Sequence, residues 1–189
     1  MTDTNAEVSV IKPQRRRLPV WVGVIAFAVL FGFLILVGLG LKRVQAGPIT
    51  IGETVPPIAL TTFEGKSLIT TDMKGKVVVI NFWASWCQPC AAEAADLQSA
   101  WQQYEPGNQV VFLGVDYVDT PPEAMSYLAK FNISYTNGPD LGTRISQTFH
   151  ISGVPETYII DRAGKLAYKE IGPFPSLDSI TSVIDPLLK

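Results

Sequence analysis

Cys87 and Cys90 are the two cysteines of a 189-residue chain, and they stand in Trp86-Cys87-Gln88-Pro89-Cys90. Three kinds of chemistry suit a pair with this spacing. As a structural staple it would close a loop of about four residues, worth roughly 2 kcal/mol and open to strain. As a structural metal centre it is short of ligands, because zinc takes four Cys or His and the chain offers two Cys and one His. As a redox dithiol it has what the chemistry requires. A β-branched run ending at Phe82 is followed by a short turn, so Cys87 falls at the start of a helix. There the free backbone N–H groups and the positive end of the dipole favour a thiolate. Lowering a thiol pKa from about 8.5 to about 7 raises the thiolate fraction at neutral pH from a few per cent to about half. Cys90, one turn on, can then resolve a mixed disulfide, and Pro89 stiffens the first turn.

The elements that must hold this pair are legible around it. Ile58–Thr61 and Ser67–Ile69 flank a turn at Glu64-Gly65 and predict a short hairpin. Lys76–Phe82 and Val110–Val115 are continuous apolar runs of the kind found in strands buried on both faces. Helices are expected over Cys87–Tyr104, Pro121–Phe131, Leu141–Phe149 and Ser176–Leu188. Glu156–Asp161 and Lys165–Ile171 predict a second hairpin, turning at Arg162-Ala163-Gly164. Strands alternating with helices and ending in a hairpin make an α/β or α+β sandwich. Asp116, at a strand end, is expected to be a cap or turn residue, and His150 a packing or surface residue.

Charge and hydropathy divide the chain. Residues 1–46 carry six Lys or Arg against Asp3 and Glu7, whereas residues 47–189 carry nine basic and fifteen acidic groups. A domain of net negative charge is a poor grip for phosphate backbones, which argues against nucleic acid as a partner. From Leu18 to Leu41 there are 24 residues without a charge, about 36 Å of helix and enough to cross a bilayer core of about 30 Å. Trp21 lies near the basic end, at headgroup level. The run is too long for a cleaved signal, although Val44-Gln45-Ala46 has the small residues of a cleavage site. The division is therefore a tail over 1–17, a transmembrane anchor over 18–41, a Pro- and Gly-containing linker over 42–57 and a domain over 58–189. Four basic residues before the span and two after it hold the N-terminus in the cytoplasm and put the domain on the far, periplasmic side.

Asn81-Phe82-Trp83-Ala84-Ser85-Trp86-Cys87-Gln88-Pro89-Cys90 resembles the active-site segment of the membrane-anchored thioredoxin-like proteins of the TlpA, ResA and CcmG (DsbE) group. Gly153-Val154-Pro155-Glu156-Thr157 is similar to the cis-proline loop of the CcmG branch. The resemblance runs from about residue 50 to the end and takes in Pro121–Asp140 as the group's helical insertion. It implies a thioredoxin-like α/β fold: a central mixed sheet flanked by helices, with an N-terminal hairpin, preceded by one transmembrane helix. It implies a thiol–disulfide oxidoreductase with no cofactor beyond the redox-active Cys87–Cys90 disulfide and no metal. The implied task is to reduce apocytochrome c cysteines for haem attachment, with recharging by a transmembrane reductant of the CcdA/DsbD kind. A cis peptide before Pro155 would set Val154 opposite the dithiol, where its backbone can pair with an extended substrate. Trp86 and Trp83 flank the dithiol and are expected to shape the substrate surface as well as the core.

The resemblance also singles out two acids. Glu93 lies one helical turn beyond Cys90 and can share its face; Glu156 follows Pro155. Carboxylates at these positions modulate the active site in the resembled branch, by disfavouring a thiolate and by accepting the Cys90 proton. Thioredoxins proper carry Asp where this chain has Asn81, which hands the proton to Glu93. The bland alternative for both is a solvated surface acid. Other functional classes share part of these features: a broader extracytoplasmic disulfide reductase, a reductant for copper-site assembly, a thiol peroxidase or a non-enzymatic holder of apoproteins or metal. The peroxidase is disfavoured by Ala84 at the place of the Thr in a TxxC nucleophile, and the metal holder by the lack of a CxxxC with His.

Overall fold

A computed structural model describes residues 19–44 and 47–189, which fall into two units, the second beginning at Gly47. The first is a single helix, α1 (Val20–Val44), of which Val20–Leu39 is long and apolar enough to cross a membrane. The tail 1–17 with Lys12 and Arg15–Arg17, and Gln45-Ala46 of the cleavage-like triplet, lie outside the described residues.

The second unit is a sheet between helices. Its strands are β1 (Ala59–Thr61), β2 (Ser67–Ile69), β3 (Val77–Trp83), β4 (Val110–Asp116), β5 (Thr136–Pro139), β6 (Glu156–Ile160) and β7 (Leu166–Ile171). Its helices are α2 (Gln88–Tyr104), α3 (Pro121–Lys130), α4 (Arg144–Phe149) and α5 (Leu177–Ile184). Strands β1 and β2 pair as the expected hairpin, Ala59 opposite Ile69. The other five form a mixed sheet in the order β5-β4-β3-β6-β7. Strands β3, β4 and β5 run parallel, and β6 and β7 antiparallel to their neighbours. All seven residues of β3 are buried, as its unbroken apolar run requires.

Alternation along β3 divides the core. Val78, Ile80 and Phe82 pack with Phe149 of α4 and Tyr158 of β6 on one face. Val77 and Val79 pack with Leu97 of α2 and Ile180 and Ile184 of α5 on the other. At the end of that second face Trp83, Cys87, Cys90 and Ala94 meet Ala124 and Tyr127 of α3. The segment before β1 does more than tether: Gly52 and Val55 donate to the carbonyls of Leu166 and Gly164, and Leu166 donates back to Glu53.

Three elements differ from the sequence reading. Residues 136–139, Thr-Asn-Gly-Pro, have the composition of a turn yet form an edge strand, because Asn137 and Gly138 are packed among neighbours. Helix α4 starts at Arg144 instead of Leu141: Asp140 Oδ2 accepts from Ser146 N at 2.8 Å, and Thr143 is left-handed at φ +50°. The last helix stops at Ile184 and continues as one 3₁₀ turn, Asp185–Leu188, with Pro186 in it.

Candidate active site

Strand β3 aims the chain at the dithiol and α2 receives it. Cys87 is the N-cap of α2, with extended backbone at φ −82° and ψ 107°, and its Sγ accepts from the Cys90 N–H at 3.1 Å. A sulfur at an N-cap satisfies one of the helix's free donors, so the same geometry that starts the helix stabilises charge on that atom. Pro89 stands in the first turn, where a missing N–H costs nothing. The two sulfurs are joined as a disulfide, with Cα atoms 5.3 Å apart. Both cysteines are buried, whereas Trp86 beside them is 63% exposed.

The loop facing this pair is braced from below. The Val154–Pro155 peptide is cis, and Val154 packs against the cluster that buries both cysteines. Glu156 lies under the loop, 1% exposed. Its Oε1 accepts from Ser152 N at 2.6 Å, its Oε2 accepts from Tyr158 Oη at 2.7 Å, and Lys169 Nζ stands 3.3 Å from Oε2. That ion pair is the only one among the described residues.

Glu93 is on the buried face of α2, one turn beyond Cys90, and is also 1% exposed. Its Oε1 accepts from Asn81 Nδ2 at 2.9 Å and its Oε2 from Phe174 N at 2.8 Å. The Asn81 amide also donates to Thr157 Oγ1 at 2.9 Å. Burial pushes the carboxyl of Glu93 up to about 7, against the pull of those two donors. Neither glutamate is a solvated surface acid. They are separated by the sheet: Asn81, which donates to Glu93, and Thr157, which accepts from Asn81, are paired on the α2 face, while Glu156 is paired with Phe82 and shares the α4 face with Tyr158.

The indole of Trp83 is fixed on two sides. It stacks on Tyr127 with centroids 4.5 Å apart, and its Nε1 donates to Asn137 Oδ1 at 2.8 Å. Asp116, expected as a cap or turn residue, is the last residue of β4: it is buried in register with Trp83, and no donor among the described residues reaches its carboxyl oxygens. Sequence reading also missed Ser85, Asp119, Thr157 and the Phe174 amide, all of which act at the site through contacts between distant segments. No group of three or more His, Cys, Asp or Glu among the described residues is placed to hold a metal ion.

Comparison with known proteins agrees with this geometry. The chain matches the AhpC/TSA family over residues 51–169. It is 36% identical to the thiol:disulfide interchange protein HelX of Rhodobacter capsulatus over 140 residues, which cover 72% of this chain and 76% of HelX. With the thiol-disulfide oxidoreductase ResA of Bacillus cereus it shares 32% identity over 123 residues, 65% of this chain and 70% of ResA. The crystal structure of a thiol:disulfide interchange protein DsbE from Chlorobium tepidum aligns with a TM-score of 0.69 at 25% identity, over 75% of this chain and 99% of that one. With a dithiol at a helix N-terminus, a cis-proline loop facing it and these relatives, the chain belongs to the AhpC/TSA family and, within it, to the thioredoxin-like thiol–disulfide oxidoreductases of the TlpA, ResA and CcmG (DsbE) group.

Proposed function

We propose that this oxidoreductase is a membrane-anchored reductant working outside the cytoplasm, and that its substrate is the haem-binding cysteine pair of an apocytochrome c. In the reduced protein the Cys87 thiolate attacks one sulfur of the substrate disulfide, forming a mixed disulfide and releasing the other substrate sulfur as a thiolate. Cys90 gives its proton to the Glu93 carboxylate and attacks Cys87 Sγ. The Cys87–Cys90 disulfide closes, and the second substrate sulfur leaves. Two electrons have passed to the substrate, and a transmembrane dithiol of the CcdA/DsbD kind restores the protein. Trp86 and the Val154 backbone at the cis-Pro155 loop receive the substrate, and Glu156 holds that loop in place.

One observation carries the direction of transfer: a buried acid, Glu93, held by Asn81 and Phe174 one turn beyond Cys90. Once ionised, above about pH 7, it puts negative charge near the dithiol, which disfavours the thiolate and makes the couple more reducing. The choice of apocytochrome c rests on the resemblance to the CcmG branch. Helix α1 supports the anchor, being long and apolar enough to span.

The test is capture in native membranes with Cys90→Ser, which leaves Cys87 unable to resolve its mixed disulfide. Recovery of apocytochrome c, absent when Cys87→Ser is added, supports the reading. Recovery of a copper-site protein instead redirects it to copper assembly, and recovery of nothing removes the reductant role. Protease added to spheroplasts should cleave beyond about Gly47; a protected domain would overturn the topology.

A further inference from the structure

The carboxyl of Asp116 ends β4 with no donor to hold it. It is 1% exposed, and among the described residues no N–H or O–H reaches either oxygen. An ionised carboxylate in such a place is strongly disfavoured. Three residues on, across the bend at Val118, lies a second buried carboxyl, that of Asp119, and it is the acid that acts on Asp116. Asp119 is already employed: its Oδ2 accepts from Ser85 N at 2.5 Å and its Oδ1 from Ser85 Oγ at 2.9 Å. Ser85 stands two residues before Cys87, whose own N–H donates to the Ala84 carbonyl at 3.1 Å. Two carboxyl groups hydrogen-bond to each other only when one of them carries a proton.

We propose that Asp116 and Asp119 share a single proton, Asp116 donating and Asp119 accepting, and that the pair positions the Ser85-Trp86-Cys87 turn from beneath. Asp119 is the clamp on Ser85, and Asp116 keeps the clamp in place without adding a second charge. Burial, and then the neighbouring acid, push the Asp116 carboxyl up to about 8, so the proton is present at neutral pH. The connecting loop is itself held under constraint: Val118, a β-branched residue, lies at φ +57°, a region such residues avoid unless their surroundings impose it. Beyond it, Thr120 and Glu123 close a capping box that fixes the start of α3.

The titratable groups on the surrounding elements are few. Strand β3 offers Trp83, which does not titrate; α2 offers Cys87, Cys90 and, a turn deeper, Glu93. Helix α3 supplies Tyr127 and Glu123, the latter held by Thr120. From the β5 side comes Asp140, whose carboxylate is taken by Ile145 N and by Ser146 N and Oγ. The loop itself adds Tyr117. No Lys or Arg among the described residues forms an ion pair with Asp116 or Asp119. Above about pH 8 the pair loses its proton, two like charges face each other, and Asp119 is driven off Ser85.

The inference rests on the reading of Cys87 as the attacking thiol, and its test has one arm that does not involve the thiols. The full-length protein, labelled with carboxyl-¹³C aspartate and held in detergent, is followed by infrared spectroscopy against pH. A protonated aspartic acid band at neutral pH, lost above about pH 8 and missing in Asp116→Asn, is the expected result; wild type without that band overturns the proposal. In the second arm the reduced protein is alkylated with iodoacetamide from about pH 6 to about pH 9. After correction for thiolate fraction, the wild-type Cys87 rate should fall about tenfold as the pair ionises, the loss of one charge-assisted hydrogen bond. Asp116→Asn, whose amide donates to Asp119 at every pH, should keep the neutral-pH rate and show no fall. A variant that titrates like wild type overturns the proposal, and an inert Cys87 with the infrared band intact counts against the nucleophile and not the pair.

Discussion

The side-chain amide of Asn81 donates to Glu93 Oε1 at 2.9 Å, tying the central strand to the helix that bears the dithiol. An aspartate at position 81 would put two carboxyl groups against each other there. With an amide instead, a single acid stands at this contact, and its oxygens have fixed donors in Asn81 and the Phe174 N–H. Burial outweighs both donors, so Glu93 holds a proton to about pH 7.

That proton makes stability depend on pH in a definite direction. The folded protein binds it more tightly than the unfolded chain does, so stability falls as pH rises from about 4.5 to about 7. A carboxyl that titrates at about 7 instead of its ordinary 4.5 contributes about 3 kcal/mol at most. Asp116, raised from 3.8 to about 8, acts in the same direction. Urea unfolding of the oxidised protein at a series of pH values should therefore show a shallower decline for Glu93→Gln, with the Asp116 share remaining. An identical decline in both proteins would mean that the Glu93 carboxyl ionises normally.

Glu156 answers to different partners and should give a different phenotype. Its three contacts, from Ser152, Tyr158 and Lys169, brace the turn into the cis peptide from the α4 face. Removing the acid leaves the Ser152 N–H and the buried Tyr158 hydroxyl without an acceptor, each orphaned group costing about 1–3 kcal/mol, so Glu156→Ala should be severely destabilised and Glu156→Gln less so. Because the sheet lies between this group and Glu93, Glu156→Gln should weaken binding of an oxidised peptide while leaving the Cys87 alkylation profile in place. A Cys87 titration displaced as far as in Glu93→Gln would show that Glu156 acts on the thiol and not through the loop.

The sequence carries the parts of this site that are local. Cys87 at a helix start, Pro89 after it and the apolar β3 run are patterns within about fifteen residues, and the hairpin of β6 and β7 turns at Gly164 as its spacing predicts. What pairs distant segments is not legible there. Thr136-Asn137-Gly138-Pro139 is turn-like in composition, and becomes a strand because Gly138 fits where a Cβ would stand 2.3 Å from the Thr61 carbonyl oxygen. Asp116 can be placed at a strand end, but its burial beside Asp119 depends on the loop conformation through Val118. Glu93 stands out by resemblance; that Phe174, 81 residues away, holds it is a product of the tertiary fold.

Gly114 sets the approach of β4 to the tryptophan. A Cβ there would lie 1.7 Å from Asn137 Oδ1 and 2.9 Å from Trp83 Nε1. The Asn137 side chain would have to swing away, abandoning both Trp83 Nε1 and the Tyr135 carbonyl, to which it donates at 2.8 Å. Overpacking costs about 1–3 kcal/mol, and a buried indole N–H left unpaired adds about 1–3 kcal/mol. Gly114→Ala should thus lower the urea midpoint sharply and alter tryptophan fluorescence. Gly107→Ala, with open space around the new methyl group, should stay within about 0.5 kcal/mol of wild type. Equal effects at the two positions would refute the packing argument.

The proton path can be separated from the first attack by kinetics. If Glu93 accepts the Cys90 proton, it can do so only when ionised, so resolution of the mixed disulfide should accelerate as pH rises through about 7. Glu93→Gln has no such base, and its resolution step should be slow and lack that inflection. General base catalysis is worth about 10²- to 10⁴-fold, so a loss of at least about tenfold should be visible in single-turnover reduction of a CXXC-containing peptide. The first attack should change little, since Cys87 keeps its place at the N-cap of α2. Loss of a negative neighbour should lower the Cys87 pKa, which iodoacetamide alkylation against pH reads directly. Equal slowing of both steps would point to a distorted site, and unchanged resolution would leave Glu93 with the structural task of joining α2 to Asn81 and Phe174.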